Sequence, residues 1–260
     1  LFRSSAASDV YKRQNKRKRM NNNMSIVDHL EELRWRILKS LGSIVLMSIL
    51  TFNFANYLVD ILIQPASQIN SDLNLQVLTI QGMFLLKWNL AIIGGIILSL
   101  PVITVQVWKF LSPGLYDKEK KILVPLIITA FICFILGGFF AYKVILPFSL
   151  DFFASMITAD IQNNFSINYY FSFVLSLMIG AGLIFELPVA SFLFSSIGLI
   201  NPQFLKTYRR EAIAITVILS AIITPPDPIS LIIMSIPMLI LYEISIAVSW
   251  FANKLFNNEK

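Results

Sequence analysis

The sequence predicts an all-α membrane protein of six transmembrane helices, with both ends of the chain in the cytoplasm. Hydrophobic residues make up 56% of the 260 residues and charged residues only 14%, whereas a soluble domain is about 45–50% apolar and about 25% charged. The apolar residues are grouped in six runs, and the basic residues fall in alternate links between those runs. Such an alternation of basic and uncharged links is typical of polytopic membrane proteins.

The first 23 residues differ from the rest of the chain. They are polar, contain no apolar stretch and therefore do not match a signal peptide. We expect residues 1–23 to be upstream or cloning-derived sequence, or else a disordered basic segment, with Met24 or Met20 as the initiator. Residues 24–260 then form a single six-helix membrane domain.

The six apolar runs predict the spans. In chain order they cover about 37–59, 83–108, 122–148, 169–200, 212–224 and 229–250. A helix rises 1.5 Å per residue, so about 20 residues cross a hydrocarbon core of about 30 Å. The fifth run, with about 13 residues, reaches only roughly 20 Å.

The turn after the fifth run, Thr224-Pro-Pro-Asp-Pro228, is predicted to be tight. Its prolines remove backbone donors and restrict the residues before them, so they cannot continue a helix. We therefore expect the short fifth helix to pair with the sixth as a hairpin, and Asp227 to be the N-cap of the sixth helix.

The orientation follows from the basic residues. Lys and Arg occur in the amino-terminal segment, in links 109–121 and 201–211, and in the carboxy-terminal tail, but links 60–82, 150–168 and 224–228 contain none. Positively charged links face the cytoplasm, which predicts that both ends of the chain are cytoplasmic. Lys87 and Lys143 then lie near the outer ends of the second and third spans, where their ammonium groups reach the interface.

Composition excludes several kinds of site. One cysteine and one histidine exclude an internal disulfide, a Cys-rich or His-based zinc site and a Ser-His triad. Because the basic residues are spread over the links rather than gathered in one patch, nucleic acid is not an expected partner. We predict no enzyme activity, no cofactor and no metal site.

A few carboxylates carry the functional hypotheses. Glu186 lies deep in the fourth predicted span, where an ionisable group is costly; it is either a functional group facing the bundle interior or a structural one locking helices together. Glu31 and Glu32, in the amphipathic segment before the first span, are within one helical turn of Arg34 and Arg36, so the spacing allows local i,i+3 and i,i+4 ion pairs. Glu119 lies in the basic link after the second span. Cytoplasmic carboxylates of this kind bind guanidinium groups in a forked, bidentate geometry.

Four motifs in order resemble the TatC family, the multispanning receptor subunit of the twin-arginine translocation system. They are HLEELRWR before the first span, LPVITVQVWKFLSPGLYDKEKK after the second, FSFVLSLMIGAGLIFELPVA in the fourth, and ITPPDPISLIIMSIPMLILYEISI across the fifth and sixth. The resemblance covers about Ser25–Trp250. It implies a receptor for Arg-Arg signal peptides that exports folded proteins with TatA- and TatB-type subunits, using the proton-motive force.

The resemblance also implies roles for individual residues. It places signal-peptide binding at the following positions: Glu32, Arg34, Arg36, Trp108, Phe110 and Glu119. It marks Pro65 in the first outer link, Glu186 and Asp227 as functional residues, and Thr224 as a contact for a partner helix. Since each arginine matches a carboxylate bidentately and lysine does not, the site should prefer Arg-Arg to Lys-Lys.

The resemblance further implies partners and a location. The partners are twin-arginine signal peptides, TatA- and TatB-type subunits, other copies of the family's own subunit and membrane lipid. The location is a bacterial inner membrane, with a thylakoid or mitochondrial inner membrane as the alternative. The competing functional hypothesis is a proton- or ion-coupled secondary transporter that uses Glu186, although the two halves of the chain show no inverted repeat of the transporter kind.

Overall fold

The structure, a computed structural model, describes residues 26–67, 74–111, 123–156, 164–224 and 227–256. These residues form ten α-helices, one π-helical segment and two short strands. In chain order they are α1 Ile26–Asn53, α2 Ala55–Ser67, β1 Asn74–Gln76, α3 Gly82–Leu111, α4 Leu123–Phe140, the π-helical segment Ala141–Ile145, α5 Leu146–Ser155, β2 Asn164–Ser166, α6 Ile167–Phe185, α7 Leu187–Ser196, α8 Pro202–Thr207, α9 Arg209–Ile223 and α10 Pro228–Phe256. The predicted segment 1–23 and the predicted site residue Glu119 lie outside the described residues.

Among the described residues, five helical segments are long and apolar enough to cross a membrane. They are His29–Asn53, Gly82–Phe110, Val124–Ser155, Ile167–Ser196 and Pro228–Leu255. The predicted fifth span corresponds to α9, whose 15 residues extend roughly 22 Å. The prediction of a helical membrane protein is confirmed, and the structure adds two three-residue strands that the apolar pattern did not indicate.

The first membrane helix ends earlier than the sequence predicted. Helix α1 stops at Asn53 and α2 begins at Ala55, whereas the predicted span ran to Val59. Just before the break, the Thr51 hydroxyl donates to the Met47 carbonyl and the Asn53 amide donates to the Ile49 carbonyl. Side chains that bond to carbonyls of the preceding turn compete with the helical ladder and bend it.

Prolines break the third and fourth spans. The π-helical segment of the third span lies directly before Pro147, whose ring would otherwise meet the Lys143 carbonyl one turn earlier. In the fourth span, Pro188 follows the junction of α6 and α7 at Glu186, where the Glu186 N–H bonds to the Leu183 carbonyl in a tightened turn.

Small residues allow the helices to approach closely. A Cβ atom on Gly95 of α3 would lie 2.6 Å from the backbone nitrogen of Ser48 in α1. A Cβ atom on Gly137 of α4 would lie 2.5 Å from the Ala181 carbonyl oxygen in α6. Membrane helices associate through such close contacts because lipid gives them no hydrophobic drive to pack.

Hydroxyl groups join α10 to its neighbours. Ser149 of α5 and Ser230 of α10 are hydrogen-bonded at 2.5 Å. Ser195 of α7 and Ser249 of α10 are hydrogen-bonded at 2.6 Å. All four side chains are buried, so each pair satisfies polar groups that would be costly inside a membrane bundle.

The bundle has two distinguishable ends. At the amino-terminal end, the start of α1 meets the last turn of α3. At the opposite end, β1 and β2 pair in parallel, with Asn74 opposite Asn164 and Gln76 opposite Ser166. The strands belong to links 60–82 and 150–168, so these two links without Lys or Arg meet at one end of the molecule.

Candidate functional site

Glu32 has one bound and one open carboxylate oxygen. Arg36, one turn later in α1, donates from Nε to Glu32 Oε1 at 3.1 Å, and its Nη2 also contacts that oxygen. Oε2 is buried and has no hydrogen-bond partner among the described residues. The ion pair that the sequence predicted therefore forms, and it leaves an unused anionic acceptor beside it.

A ring stack brings the predicted residues of α1 and α3 together. The His29 imidazole lies against the Phe110 ring, with ring centroids 4.3 Å apart and planes inclined by 17°. The Nδ1 atom of His29 is 4.0 Å from Glu32 Oε2, which is too long for a hydrogen bond. The His29 ring therefore lies between the Phe110 ring and the open carboxylate oxygen of Glu32.

Trp108 and Arg34 do not join this cluster. Trp108 is 2% exposed and packs among Leu126, Ala130 and Val189, because two residues along a helix turn a side chain by about 200°. Its indole N–H is buried without a partner in the described part of the chain. Arg34 is exposed, with its guanidinium 6.0 Å from the Trp35 ring. Their assignment to signal-peptide binding stays a prediction.

Glu186 lies at the break between α6 and α7. Its backbone ends α6, and its carbonyl accepts from the Ala190 N–H at 2.8 Å. The side chain is half-buried, and the hydrogen bonds and ion pairs of the described residues include none to its carboxylate. A carboxylate at a proline-induced break, within a candidate span, is available for a proton or a polar partner.

Asp227 caps α10 as the sequence predicted. The Ser230 N–H donates to Asp227 Oδ2 at 2.7 Å, which satisfies one of the free donors of the first turn. Asp227 is 4% exposed, and its Oδ1 has no hydrogen-bond partner within the described ranges. Pro225 and Pro226, at the centre of the predicted tight turn, lie outside the described residues.

Thr224 and Pro65 are both buried. The Thr224 hydroxyl donates to the Ser220 carbonyl at 2.8 Å, so that hydroxyl is already used at the end of α9. Pro65 lies within the last turn of α2. The structure brings neither residue to the cluster of Glu32 and Phe110, from which Pro65 is separated by the length of the bundle.

Sequence reasoning missed His29, although it is the only histidine of the chain. Two signals pointed to it. It precedes Glu32 by three residues, which places both on one helix face, and it opens the HLEELRWR motif. Its role could not be read from the sequence because its stacking partner, Phe110, is 81 residues away.

The chemistry available at the amino-terminal end is recognition of a cation. An open carboxylate oxygen, an arginine that holds the other oxygen and a flat aromatic surface can bind a guanidinium group by hydrogen bonds and by stacking. Within the described ranges, no group of three or more His, Cys, Asp or Glu side chains is arranged to hold a metal ion.

Comparison with known proteins gives a consistent result. A family model described as TatC, Sec-independent protein translocase protein, matches residues 28–237. The TatC protein of Carboxydothermus hydrogenoformans is 37% identical to this chain, over 91% of this chain and 98% of its own length. The TatC protein of Aquifex aeolicus is 35% identical, over 91% of this chain and 98% of its own length.

A solved structure agrees in fold as well as in sequence. The crystal structure of a twin arginine translocase receptor, TatC, superposes with a TM-score of 0.76 at 34% identity, covering 86% of this chain and 99% of the other. The family model covers well over half of the chain, and the relatives match almost end to end. The chain therefore belongs to the TatC family of Sec-independent protein translocases, the receptor proteins of the twin-arginine translocation system.

Proposed function

We propose that the chain is the signal-peptide receptor and core subunit of a twin-arginine translocase. It binds Arg-Arg signal peptides at its cytoplasmic face and, with TatA- and TatB-type subunits, exports folded proteins using the proton-motive force. The open Oε2 atom of Glu32 is the observation that carries the proposal. A buried carboxylate oxygen without a donor costs free energy, and an incoming guanidinium removes that cost.

In the proposed complex, the first signal arginine binds Glu32 and the second binds Glu119. Arg36 keeps Glu32 in place by holding Oε1, and Phe110, fixed by the His29 ring, supplies a flat surface for a guanidinium plane. A lysine ammonium has neither the fork nor the plane. The site should therefore discriminate Arg-Arg from Lys-Lys although both carry two charges.

We further propose the six-span topology, with residues 24–260 as one membrane domain. Two observations support it. The pairing of β1 with β2 brings two links without Lys or Arg to one end of the bundle, and the stack of His29 on Phe110 brings the first turn of α1 to the last turn of α3, from which the basic link continues, at the other. Because links rich in Lys and Arg face the cytoplasm, the end of the bundle with His29 and Phe110 is the cytoplasmic one. The proposed location is a bacterial inner membrane, with thylakoid and mitochondrial inner membranes as alternatives.

The short α9 is the proposed contact for TatA- and TatB-type helices. Several of its apolar side chains are exposed, with Ile215 at 55%, Ile218 at 58% and Ile222 at 73%. Thr224 ends this helix. Because α9 is shorter than the hydrocarbon core, the bilayer beside it must thin or its end must be covered by another helix. Further copies of the chain are proposed partners as well.

Site-specific photocrosslinking tests the receptor proposal. A photoreactive residue replaces Trp35, which is 53% exposed and lies three residues after Glu32 on the same face of α1, in membranes that also contain the partner subunits. We expect an Arg-Arg signal peptide to crosslink and its Lys-Lys twin not to. A probe at Leu46, 68% exposed near the middle of α1, is the control. Equal crosslinking of both peptides at position 35 would contradict the proposed site.

The second candidate function, a proton- or ion-coupled transporter, is favoured only by the unpaired Glu186 carboxylate at the helix break. Liposomes that contain this chain alone separate the two candidates. A substrate- or proton-dependent flux that Glu186→Gln abolishes would support the transporter. Export that requires a twin-arginine signal and partner subunits supports the translocase.

A further inference from the structure

Lys143 is a cation in the second half of the third candidate span, Val124–Ser155. It follows Val124, the first residue of that candidate span, by 19 residues, which places it roughly 28 Å along the helix. A hydrocarbon core of about 30 Å therefore brings its ammonium to the interface at the end of the bundle opposite the chain start. The side chain is exposed, so it faces the membrane surroundings rather than the packed core.

The local fold holds Lys143 beside Tyr142. Both residues belong to the π-helical segment, which the described chain shows only here. The ammonium lies 5.3 Å from the centroid of the Tyr142 ring, and the Tyr142 hydroxyl donates to the Ile61 carbonyl of α2 at 2.7 Å. The aromatic ring is therefore fixed between two elements, and the cation rests on it.

Tyr142 also lines a cavity. A cavity of about 290 Å³ opens between α2, α3, α4 and α6, and its walls include Leu58, Ile93, Gly138 and Phe139. Tyr142 is the only one of the lining residues, all of them within the described ranges, that carries a hydroxyl, amide or charged group. Apart from the Tyr142 hydroxyl, the cavity wall is apolar, and the Lys143 ammonium lies over the ring of that lining tyrosine.

These features together fit an amphiphile with an acyl chain and an anionic head. Apolar walls alone do not select a ligand inside a membrane, because lipid tails are as apolar as leucine side chains. Selection must come from the head group. Among the described residues, no ion pair involves Lys143, and its ammonium is the cation nearest to Tyr142.

We propose that this cavity and Lys143 form a binding site for an anionic glycerophospholipid. One acyl chain fills the cavity between α2, α3, α4 and α6, and the phosphate meets the Lys143 ammonium at the interface. The bound lipid fills space that the helices leave open and links α2 to the third span. This site lies at the end of the bundle away from Glu32, so it stands independently of the signal-peptide proposal.

Photoreactive phospholipids test the site in the full chain reconstituted in nanodiscs. Phosphatidylglycerol and phosphatidylcholine with identical chains, each carrying a diazirine near the chain end, are compared, and the crosslinked residues are mapped by mass spectrometry. We expect crosslinks at the cavity walls, Ile93 and Phe139 among them. A single lysine near the interface should give about a fivefold preference for phosphatidylglycerol, corresponding to about 1 kcal/mol.

Three variants identify the parts of the site. Lys143→Gln should remove the head-group preference and Lys143→Arg should keep it, whereas Lys87→Gln, in α3 and without the contact to Tyr142 that Lys143 makes, should leave it unchanged. Gly138→Leu should lower crosslinking of both lipids, because a Cβ atom there meets nothing closer than 3.8 Å and a larger side chain enters the cavity.

Two results would overturn the proposal. Equal labelling of the cavity by both lipids in the unmodified protein would show that Lys143 does not select an anion. Displacement of both lipids from the cavity by an Arg-Arg signal peptide, with equal efficiency in Lys143→Gln, would assign the cavity to the apolar stretch of that peptide instead. The first comparison needs no variant, so a folding defect cannot hide the answer.

Discussion

Replacing Glu32 by glutamine should weaken binding of twin-arginine signal peptides while leaving the fold intact. Glutamine keeps the shape and an acceptor for Arg36, but it puts an NH₂ donor where the structure shows the unpartnered Oε2. A guanidinium that approaches this position then meets a donor instead of an anion. The loss should be specific to the arginine peptide, because a Lys-Lys peptide makes little use of the site.

The magnitude follows from the single hydrogen-bonded charge that is removed. A hydrogen bond to a charged group contributes about 1.5–3 kcal/mol, which corresponds to roughly 10- to 150-fold in Kd. The Glu32 side chain is 22% exposed, so solvent screening sets the expected loss near the lower end, about tenfold. The lost pair with Arg36 costs the helix only about 0.3–0.5 kcal/mol, too little to unfold the protein.

The assay is fluorescence anisotropy of labelled Arg-Arg and Lys-Lys signal peptides on the protein in nanodiscs. Glu31→Gln is the matched control, since Glu31 is the neighbouring exposed carboxylate of α1. Glu119→Gln and the double variant with Glu32→Gln measure whether the two carboxylates act on one peptide. An unchanged Kd for Glu32→Gln, or an equal loss for Glu31→Gln, would refute the reasoning.

Three further predictions concern the fold and transport. Gly95→Leu should destabilise the protein by about 3 kcal/mol, because its side chain collides with the Ser48 backbone; Gly42→Leu, where no atom lies within 4 Å of the added Cβ, is the control in a thermal unfolding assay in detergent. Asp227→Ala should cost about 1 kcal/mol through loss of the α10 cap, and in the same assay Asp227→Asn should keep most of it. Glu186→Gln should reduce export of a folded reporter while leaving the Kd of the signal peptide unchanged, and normal export would contradict its proposed role.

Sequence reasoning located the membrane helices but not their breaks. Runs of apolar residues indicate burial in lipid whatever the exact path of the backbone, so the predicted spans 83–108 and 229–250 lie within α3 and α10, although α10 continues six residues further. The break at Phe54, whose N–H bonds to the Thr51 carbonyl in a tightened turn, lies inside the first apolar run, so hydropathy does not show it. The strands Asn74–Gln76 and Asn164–Ser166 are too short to show a period in sequence.

The candidate site was predicted in part. The pairing of Glu32 with Arg36 is local, and helical spacing was enough to predict it. The burial of Trp108 among Leu126 and Val189 depends on which face of α3 meets the bundle, and the resemblance to the family could not supply that. The stack of His29 on Phe110 joins residues distant in sequence, so only the folded chain shows it.

By itself, the sequence determined the membrane class, the apolar segments, the distribution of positive charge and the motifs of the family, because all of these are properties of single residues or of neighbours along the chain. The tertiary structure decided which carboxylate oxygen of Glu32 stays open, which glycine contacts a neighbouring helix, and that Tyr142, whose ring lies under the Lys143 ammonium, lines a cavity. Each of these depends on how helices far apart in sequence pack against one another. In a membrane, that packing is governed by close steric fit and by satisfied hydrogen bonds rather than by hydrophobic burial, so hydropathy along the chain does not encode it.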